Sequence, residues 1–200
     1  MIEGIDQSGK ETQAKLLARR LRRLGFRTET LSYPIYTSYS GREISAFLDG
    51  RRSGPPQVLH MLYAINRWES LPKLKALMKS SDYLIIDRYS PSNIAYGVAH
   101  GLDREWLINL DQGLPRPHKV VLIDTSVTSS FARKASGRDV HERDVSLLRK
   151  VRAEYLKLAN KQHWKVVGGN QSQKKVGDNL WKLLGDIQPR RSQPRGRPRG

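Results

Sequence analysis

Near the start of the chain a glycine-rich turn leads into a lysine: Gly4-Ile5-Asp6-Gln7-Ser8-Gly9-Lys10-Glu11. The spacing follows the phosphate-binding pattern G-x-x-x-x-G-K-[ST] everywhere except its last position. Each part has a physical task. Glycines let the backbone wrap closely around phosphate oxygens, and successive amide N–H groups supply positive potential together with the N-terminus of the following helix. The lysine reaches the β- and γ-phosphates. Gly4, Ile5, Asp6, Gln7, Ser8, Gly9, Lys10, Glu11 and Thr12 are therefore candidate ATP-binding residues, with Lys10 a candidate catalytic cation. Where a hydroxyl normally meets Mg²⁺, this chain has Glu11. A carboxylate can ligate Mg²⁺, but it places negative charge beside the phosphates. The hydroxyl of Thr12 comes one residue later, about 100° further around a helix.

A second constellation is Asp87-Arg88-Tyr89, which ends an apolar run. Ligands of open parallel sheets bind beyond the carboxyl ends of the strands. Asp87 there can hold Mg²⁺ or its waters, and Arg88 can neutralise charge on a transferring phosphoryl group. Asp124 also ends an apolar run, and its expected part is to cap the next turn. Tyr63 and Arg67 are four apart, as are Ser92 and Tyr96, so each pair shares a helix face. An aromatic ring and an arginine on one face suit a base and a phosphate; equally, Tyr63 can be core and Arg67 can pair with an acid. The stretch from Arg133 to Arg143 is basic and contains glycine. It can close over a triphosphate, or it is a solvated loop.

The elements that must position these groups are legible from periodicity. A helix is expected from Thr12 to Leu24, closed by Gly25, and a strand from Thr28 to Tyr33, ended by Pro34. A short helix around Ile44, Phe47 and Leu48 is followed by a long one from about Gln57 to Met78, divided or kinked at Pro72. Tyr83–Ile86 and Val120–Ile123 are continuous apolar runs, the mark of parallel strands covered on both faces. A helix through Val145, Val151 and Leu158, a strand at Trp164–Val167 and a helix at Lys175–Leu184 close the chain. The fold class is thus α/β: three layers, about five parallel strands, helices on both faces and a small lid at about 132–143. Residues 188–200, rich in Arg, Pro and Gly, have nothing to bury and are expected to be a disordered basic tail.

Two hundred residues fit one domain, here 1–187. The formal charge is +17, and five of the cations are arginines after residue 187, which leaves +12 on the body. Such a body expects an anionic partner. The absence of cysteine excludes disulfides, thiolate metal sites and a cysteine nucleophile. No apolar run approaches the roughly 18 residues of a membrane span, and Met1-Ile2-Glu3-Gly4 does not read as a signal peptide. The expected location is cytoplasmic.

In their order, these motifs resemble one family, the thymidylate (dTMP) kinases of the P-loop nucleoside-monophosphate kinase group, over Ile2 to about Ile187. The segments that carry the resemblance are Glu3-Gly4-Ile5-Asp6 with Ser8-Gly9-Lys10 and Thr12-Gln13; Tyr33-Pro34 with Gly41 and Ile44; Leu62-Tyr63-Ala64 with Asn66-Arg67; Asp87-Arg88-Tyr89 with Ser92 and Ala95-Tyr96; and Gly113-Leu114-Pro115-Arg116-Pro117. The resemblance implies transfer of the ATP γ-phosphoryl group to dTMP, Mg²⁺ as cofactor, and a homodimer. It implies that Asp6 lies near the acceptor or its phosphate and that Arg88 bridges donor and acceptor phosphates. Pro34, Tyr63, Arg67, Ser92 and Tyr96 then line the dTMP pocket, and Asp87 and Glu11 are the metal candidates. With Gln7 and Ser8 in the loop's variable positions, the assisting arginine falls to Arg133, Arg138 or Arg143, with Arg138 favoured.

The chain departs from the family at Glu11, at Ile35-Tyr36, where many members have an arginine that Arg42 can replace, and in a first strand cut to Met1–Glu3. An upstream extension is expected to stabilise that strand. Three rival readings stand: the same fold acting on dUMP or another acceptor, a degenerate P-loop protein that binds nucleotides without turnover, and a nucleic-acid binder. Weak nucleic-acid binding by the tail is an accessory expectation.

Overall fold

The computed structural model describes residues 1–133 and 144–185. In chain order it contains β1 (Ile2–Glu3), α1 (Lys10–Arg23), β2 (Thr28–Ser32), α2 (Tyr39–Leu48), α3 (Pro56–Glu69), α4 (Leu71–Ser80) and β3 (Tyr83–Asp87). There follow α5 (Ser90–Ala99), α6 (Arg104–Asn109), β4 (Val121–Asp124), α7 (Val127–Arg133), α8 (Val145–Lys161), β5 (Lys165–Gly168) and α9 (Gln173–Lys182). The five strands form one parallel sheet in the order β2-β3-β1-β4-β5.

Alternation along the strands divides the core between the two faces. Ile2, Ile85, Val121 and Ile123 face α1 and α9, where Ala14, Ala18, Leu21, Val176 and Leu180 cover them. Ile5 and Leu122 belong to the opposite core, with Leu107 of α6 and Leu148, Val151 and Tyr155 of α8. The expected three-layer arrangement of five strands is therefore the observed one. β1 has two residues, and Ile2 pairs with Asp87, so Tyr83–Ile86 have no partner on that side among the described residues.

The boundaries differ from the sequence expectation in instructive places. α1 begins at Lys10 rather than Thr12, because Gly9 at φ 90° caps it directly after the turn. The long helix expected over 57–78 is two helices that break at Ser70. Pro72 sits in the first turn of α4, where a missing donor costs nothing. The Ser70 hydroxyl donates to the Arg67 carbonyl at 2.9 Å and lies 2.8 Å from the Tyr33 hydroxyl, which fixes the break. α2 starts at Tyr39, earlier than expected, with the Ser38 hydroxyl accepting from Gly41 N–H at 3.1 Å. Most of the segment expected as a lid, and the whole tail, lie outside the described residues.

Candidate active site

The candidate residues gather at the carboxyl ends of β1 and β3. Gly4 leaves β1 at φ 152°, and a Cβ there would sit 2.6 Å from the Ile123 carbonyl, so the loop can cross β4 only with glycine. Gln7 (φ 56°) and Arg88 (φ 63°) adopt left-handed backbone although both carry side chains. Such conformations cost of order 1–3 kcal/mol and need surrounding structure to hold them.

Lys10 is 94% covered, and its Nζ donates to the Ile5 carbonyl at 2.7 Å and the Ser8 hydroxyl at 3.3 Å. Burial first, and Arg88 second, bring its pKa down to about 8 against the opposing pull of Asp87, Asp6 and Glu3. The Arg88 guanidinium pairs with the Asp6 carboxylate, donates to Ser92 Oγ at 3.3 Å and lies 5.5 Å from the Tyr96 ring centre. Burial works against its charge, but Asp6 and the neighbouring groups outweigh burial and hold it cationic. The Tyr96 hydroxyl donates to Asp6, and burial followed by Asp6 pushes its pKa well up.

Glu3 belongs to this cluster, although the sequence analysis gave it no role. Its carboxylate is fully buried, which raises its pKa. One oxygen accepts the Tyr89 N–H at 2.9 Å; the other accepts Ser92 Oγ at 2.7 Å and the Tyr155 hydroxyl at 3.1 Å. Glu3 thereby ties β1, α5 and α8 to the residue after Arg88, and so holds the left-handed turn that aims the arginine. The signal available was an acid wedged between an apolar strand and the glycine turn.

The two metal candidates part company. Asp87 is buried, and its Oδ1 has no hydrogen-bond partner among the described residues. An orphaned buried carboxylate oxygen suits a cation or its water. Glu11 points along the exposed flank of α1, where it pairs with Lys15. Asp124 is not the expected cap: it accepts Arg152 Nε and Nη2 at 2.6 and 2.8 Å, while the Ser126 hydroxyl, accepting from Ser129 N–H at 3.2 Å, serves the start of α7. The long arginine fork outcompetes a local turn for a carboxylate at a strand end.

Beyond Arg88 lies a pocket walled by Asp6, Pro34, Tyr63, Arg67, Arg88, Ser92 and Tyr96, together with Tyr33, Tyr36, Asn66 and Asn93. Every residue expected to line a substrate pocket is on this wall. Arg67, however, is already engaged: its Nε and Nη2 meet both oxygens of Asp111 at 2.9 and 2.7 Å, and both side chains are buried. Burial outweighs the guanidinium and holds the Asp111 carboxyl above its usual range. Asn66 Oδ1 accepts the Ile35 N–H at 2.7 Å, and its Nδ2 donates to the Ile35 carbonyl and the Ser38 and Ser40 hydroxyls. It clamps the loop that carries Pro34, after a cis Tyr33–Pro34 peptide. Arg42 donates to the Thr37 carbonyl at 3.1 Å and stays exposed.

Arg133 spans from the Gln7 carbonyl (3.1 Å) to the Gly169 carbonyl (2.6 Å), and so bridges the glycine loop and the end of β5. Arg138 and Arg143 lie outside the described residues. Among the described residues no cluster of three or more His, Cys, Asp or Glu could hold a metal by itself.

Comparison with known proteins gives one answer from sequence and structure. The family model for thymidylate kinase matches residues 2–180. The thymidylate kinase of Arabidopsis thaliana is 32% identical over 186 residues, covering 93% of this chain and 70% of the relative. A probable thymidylate kinase of Thermococcus gammatolerans is 38% identical over 170 residues, covering 80% and 81% of the two chains. The solved thymidylate kinase of Candida albicans superposes with a TM-score of 0.80 at 27% identity, over 92% of this chain and 88% of that one. The five-stranded parallel sheet with its glycine loop is thus a P-loop NTPase fold, and the chain belongs to the thymidylate kinase family.

Proposed function

We propose that Lys10 and the loop amides bind the ATP phosphates, that the Tyr63 pocket binds dTMP, and that Arg88 spans the two. The reaction itself follows from membership of the family: ATP-dependent phosphorylation of dTMP to dTDP, in nucleotide biosynthesis. What supports the division of labour is one observation. Asp6 and Arg88 stand at once in the wall of the pocket and in the cluster around Lys10.

Phosphoryl transfer asks a protein for positioning and charge neutralisation more than covalent help. The Tyr63 ring gives the base a flat apolar face. Arg88, preset by its left-handed backbone, offers charge midway between the phosphates. Asp6 holds that guanidinium in place until phosphate oxygens compete for it. Asp87, through its unpartnered buried oxygen, would hold Mg²⁺ or its water. When bound, the ion neutralises charge on the β- and γ-phosphates. Glu11 is set aside from this task by its pair with Lys15.

Arg138 as assisting arginine, and a nucleic-acid contact by residues 188–200, belong to the same proposal on residues beyond the description. So does cytoplasmic residence; no helix among the described residues is long and apolar enough to cross a membrane. A second copy of the chain is the proposed partner. Met61, Ile65 and Trp68 stand exposed at helical spacing on α3 and form an apolar stripe of the kind that pairs with itself about a two-fold axis.

The test is ADP formation with Mg-ATP across a panel of monophosphates, dTMP and dUMP included, with a no-acceptor control. Selective turnover of dTMP is expected. A folded, ATP-binding protein that turns over no acceptor would overturn the assignment.

A further inference from the structure

One side of the glycine loop rests on α7. The hydroxyl of Ser130, a buried residue, donates to the Asp6 carbonyl at 2.7 Å. Three residues on, and so on the same helix face, Arg133 Nη1 donates to the Gln7 carbonyl at 3.1 Å. Its Nη2 is braced on the Gly169 carbonyl at 2.6 Å. The Asp6 and Gln7 carbonyls belong to the two peptide planes that flank Gln7. Each plane is rigid, so the φ and ψ of Gln7 are the only rotations between them. Two bonds from one helix therefore hold the left-handed backbone of Gln7 at φ 56°. A residue with a side chain resists that conformation, whereas glycine adopts it readily.

A trans peptide points its C=O and its N–H in opposite directions. Holding the Asp6 and Gln7 carbonyls toward α7 thus turns the amides of Gln7 and Ser8 the other way. Ser8 N–H closes the turn on the Ile5 carbonyl at 3.3 Å, and Ser8 Oγ accepts from Lys10 Nζ at 3.3 Å. The dihedral at Gln7 accordingly shapes the loop as far as the lysine. We infer that Ser130 is a positioning residue for ATP: by holding the Asp6 carbonyl it keeps the strained turn at Gln7 in the form that receives the phosphates. The inference rests on the proposed placement of the ATP phosphates on Lys10 and the loop amides. Ser130 acts through the loop backbone alone, whereas Arg133 carries a charge that can itself meet a phosphate, so Ser130 is the cleaner probe.

The test is calorimetric binding of Mg-ATP, without acceptor, in the parent chain, Ser130→Ala, Gln7→Gly and the double variant, with KM for dTMP measured beside it. Alanine is the best helix former, so the substitution does not weaken α7. Loss of one hydrogen bond corresponds to about a fivefold change in an equilibrium. Ser130→Ala should therefore raise the Kd for Mg-ATP about fivefold and leave KM for dTMP unmoved. In the Gln7→Gly background the same substitution should move Kd far less, because glycine keeps the turn without help. If Ser130→Ala does not fold, Ser130→Cys, of similar size but with only a weak donor, reads the same bond. A variant that melts lower yet binds Mg-ATP like the parent would overturn the inference, as would equal weakening in both backgrounds or an equal loss on dTMP. Lys10→Ala separates that failure from failure of the loop assignment. It should weaken Mg-ATP binding whatever Ser130 does, and an unmoved Kd there would discard the loop assignment and the inference together.

Discussion

Around Lys10 the charged side chains of Glu3, Asp6, Asp87 and Arg88 converge at the strand ends, and the cluster is left partly unsettled. Asp87 Oδ1 has no partner among the described residues, and burial brings the Lys10 pKa down to about 8. Across Arg88, in the pocket beside Tyr63, three polar side chains are paired before any ligand arrives, Arg67 on Asp111, Asn66 on the loop after β2 and Asn93 on His60, while the buried Tyr89 hydroxyl on the same wall has no partner among the described residues. The contrast matches the two ligands. A triphosphate with its cation brings charge that can complete a charged cluster. A nucleobase brings shape and neutral edges, so its site must be rigid beforehand.

The comparison breaks most visibly at the charged end. Arg88→Ala and Lys10→Ala should each lower kcat by about 10²–10³-fold, the usual cost of a preorganised charge-stabilising group. The melting temperature of Lys10→Ala should hold or rise, because burying that cation is costly and the phosphates that reward it are absent. Near-normal turnover in either folded variant would remove it from the proposed machinery.

At the neutral end the same logic predicts an effect on stability rather than on the chemical step. Asp111→Ala leaves the buried Arg67 guanidinium uncompensated, a loss of about 3–5 kcal/mol. In a chain of 200 residues that corresponds to a fall in melting temperature of the order of 10 °C. Adding Arg67→Met should restore most of it, since the unpaired charge is then gone. A single variant that melts like the parent would show that the pair does not preset the pocket.

The same division decides what could be read from the sequence. The glycine turn and Asp87-Arg88-Tyr89 are contiguous, so their chemistry is written in local spacing. So are the apolar runs Tyr83–Ile86 and Val120–Ile123, whose unbroken apolar character points to a parallel sheet. Arg67 and Asp111 lie 44 positions apart, His60 and Asn93 33, and Glu3 and Ser92 89. No periodicity links such pairs; only the crossover connections of the sheet bring them together. The break at Ser70 was hidden for a related reason. Pro72 marks a disturbance, but the hydroxyl of Tyr33, from a different strand end, helps decide where the chain turns. Glu11 shows the reverse case: motif position alone marks it as a metal candidate, and its exposed carboxylate pairs with Lys15 one helical turn away.

The smallest predicted effect is a pH dependence of ATP binding. Lys10 is brought down from its usual 10.5 to about 8, first by burial. Between those values the unfolded chain holds a proton that the folded protein has released, so this group makes stability rise with pH through that window. Binding runs the other way. Phosphate oxygens favour the ammonium form, so above pH 8 the protein must take up a proton as ATP binds, and affinity should fall by up to about tenfold per pH unit. Calorimetry at pH 7, 8 and 9, in buffers of different ionisation heat, measures both the constant and the protons taken up. In Lys10→Arg the uptake should vanish, because an arginine stays charged throughout this range. Proton uptake that persists in Lys10→Arg would place the titrating group elsewhere in the cluster, on Glu3, whose pKa burial raises, and would mean that the loop meets ATP with its lysine already charged.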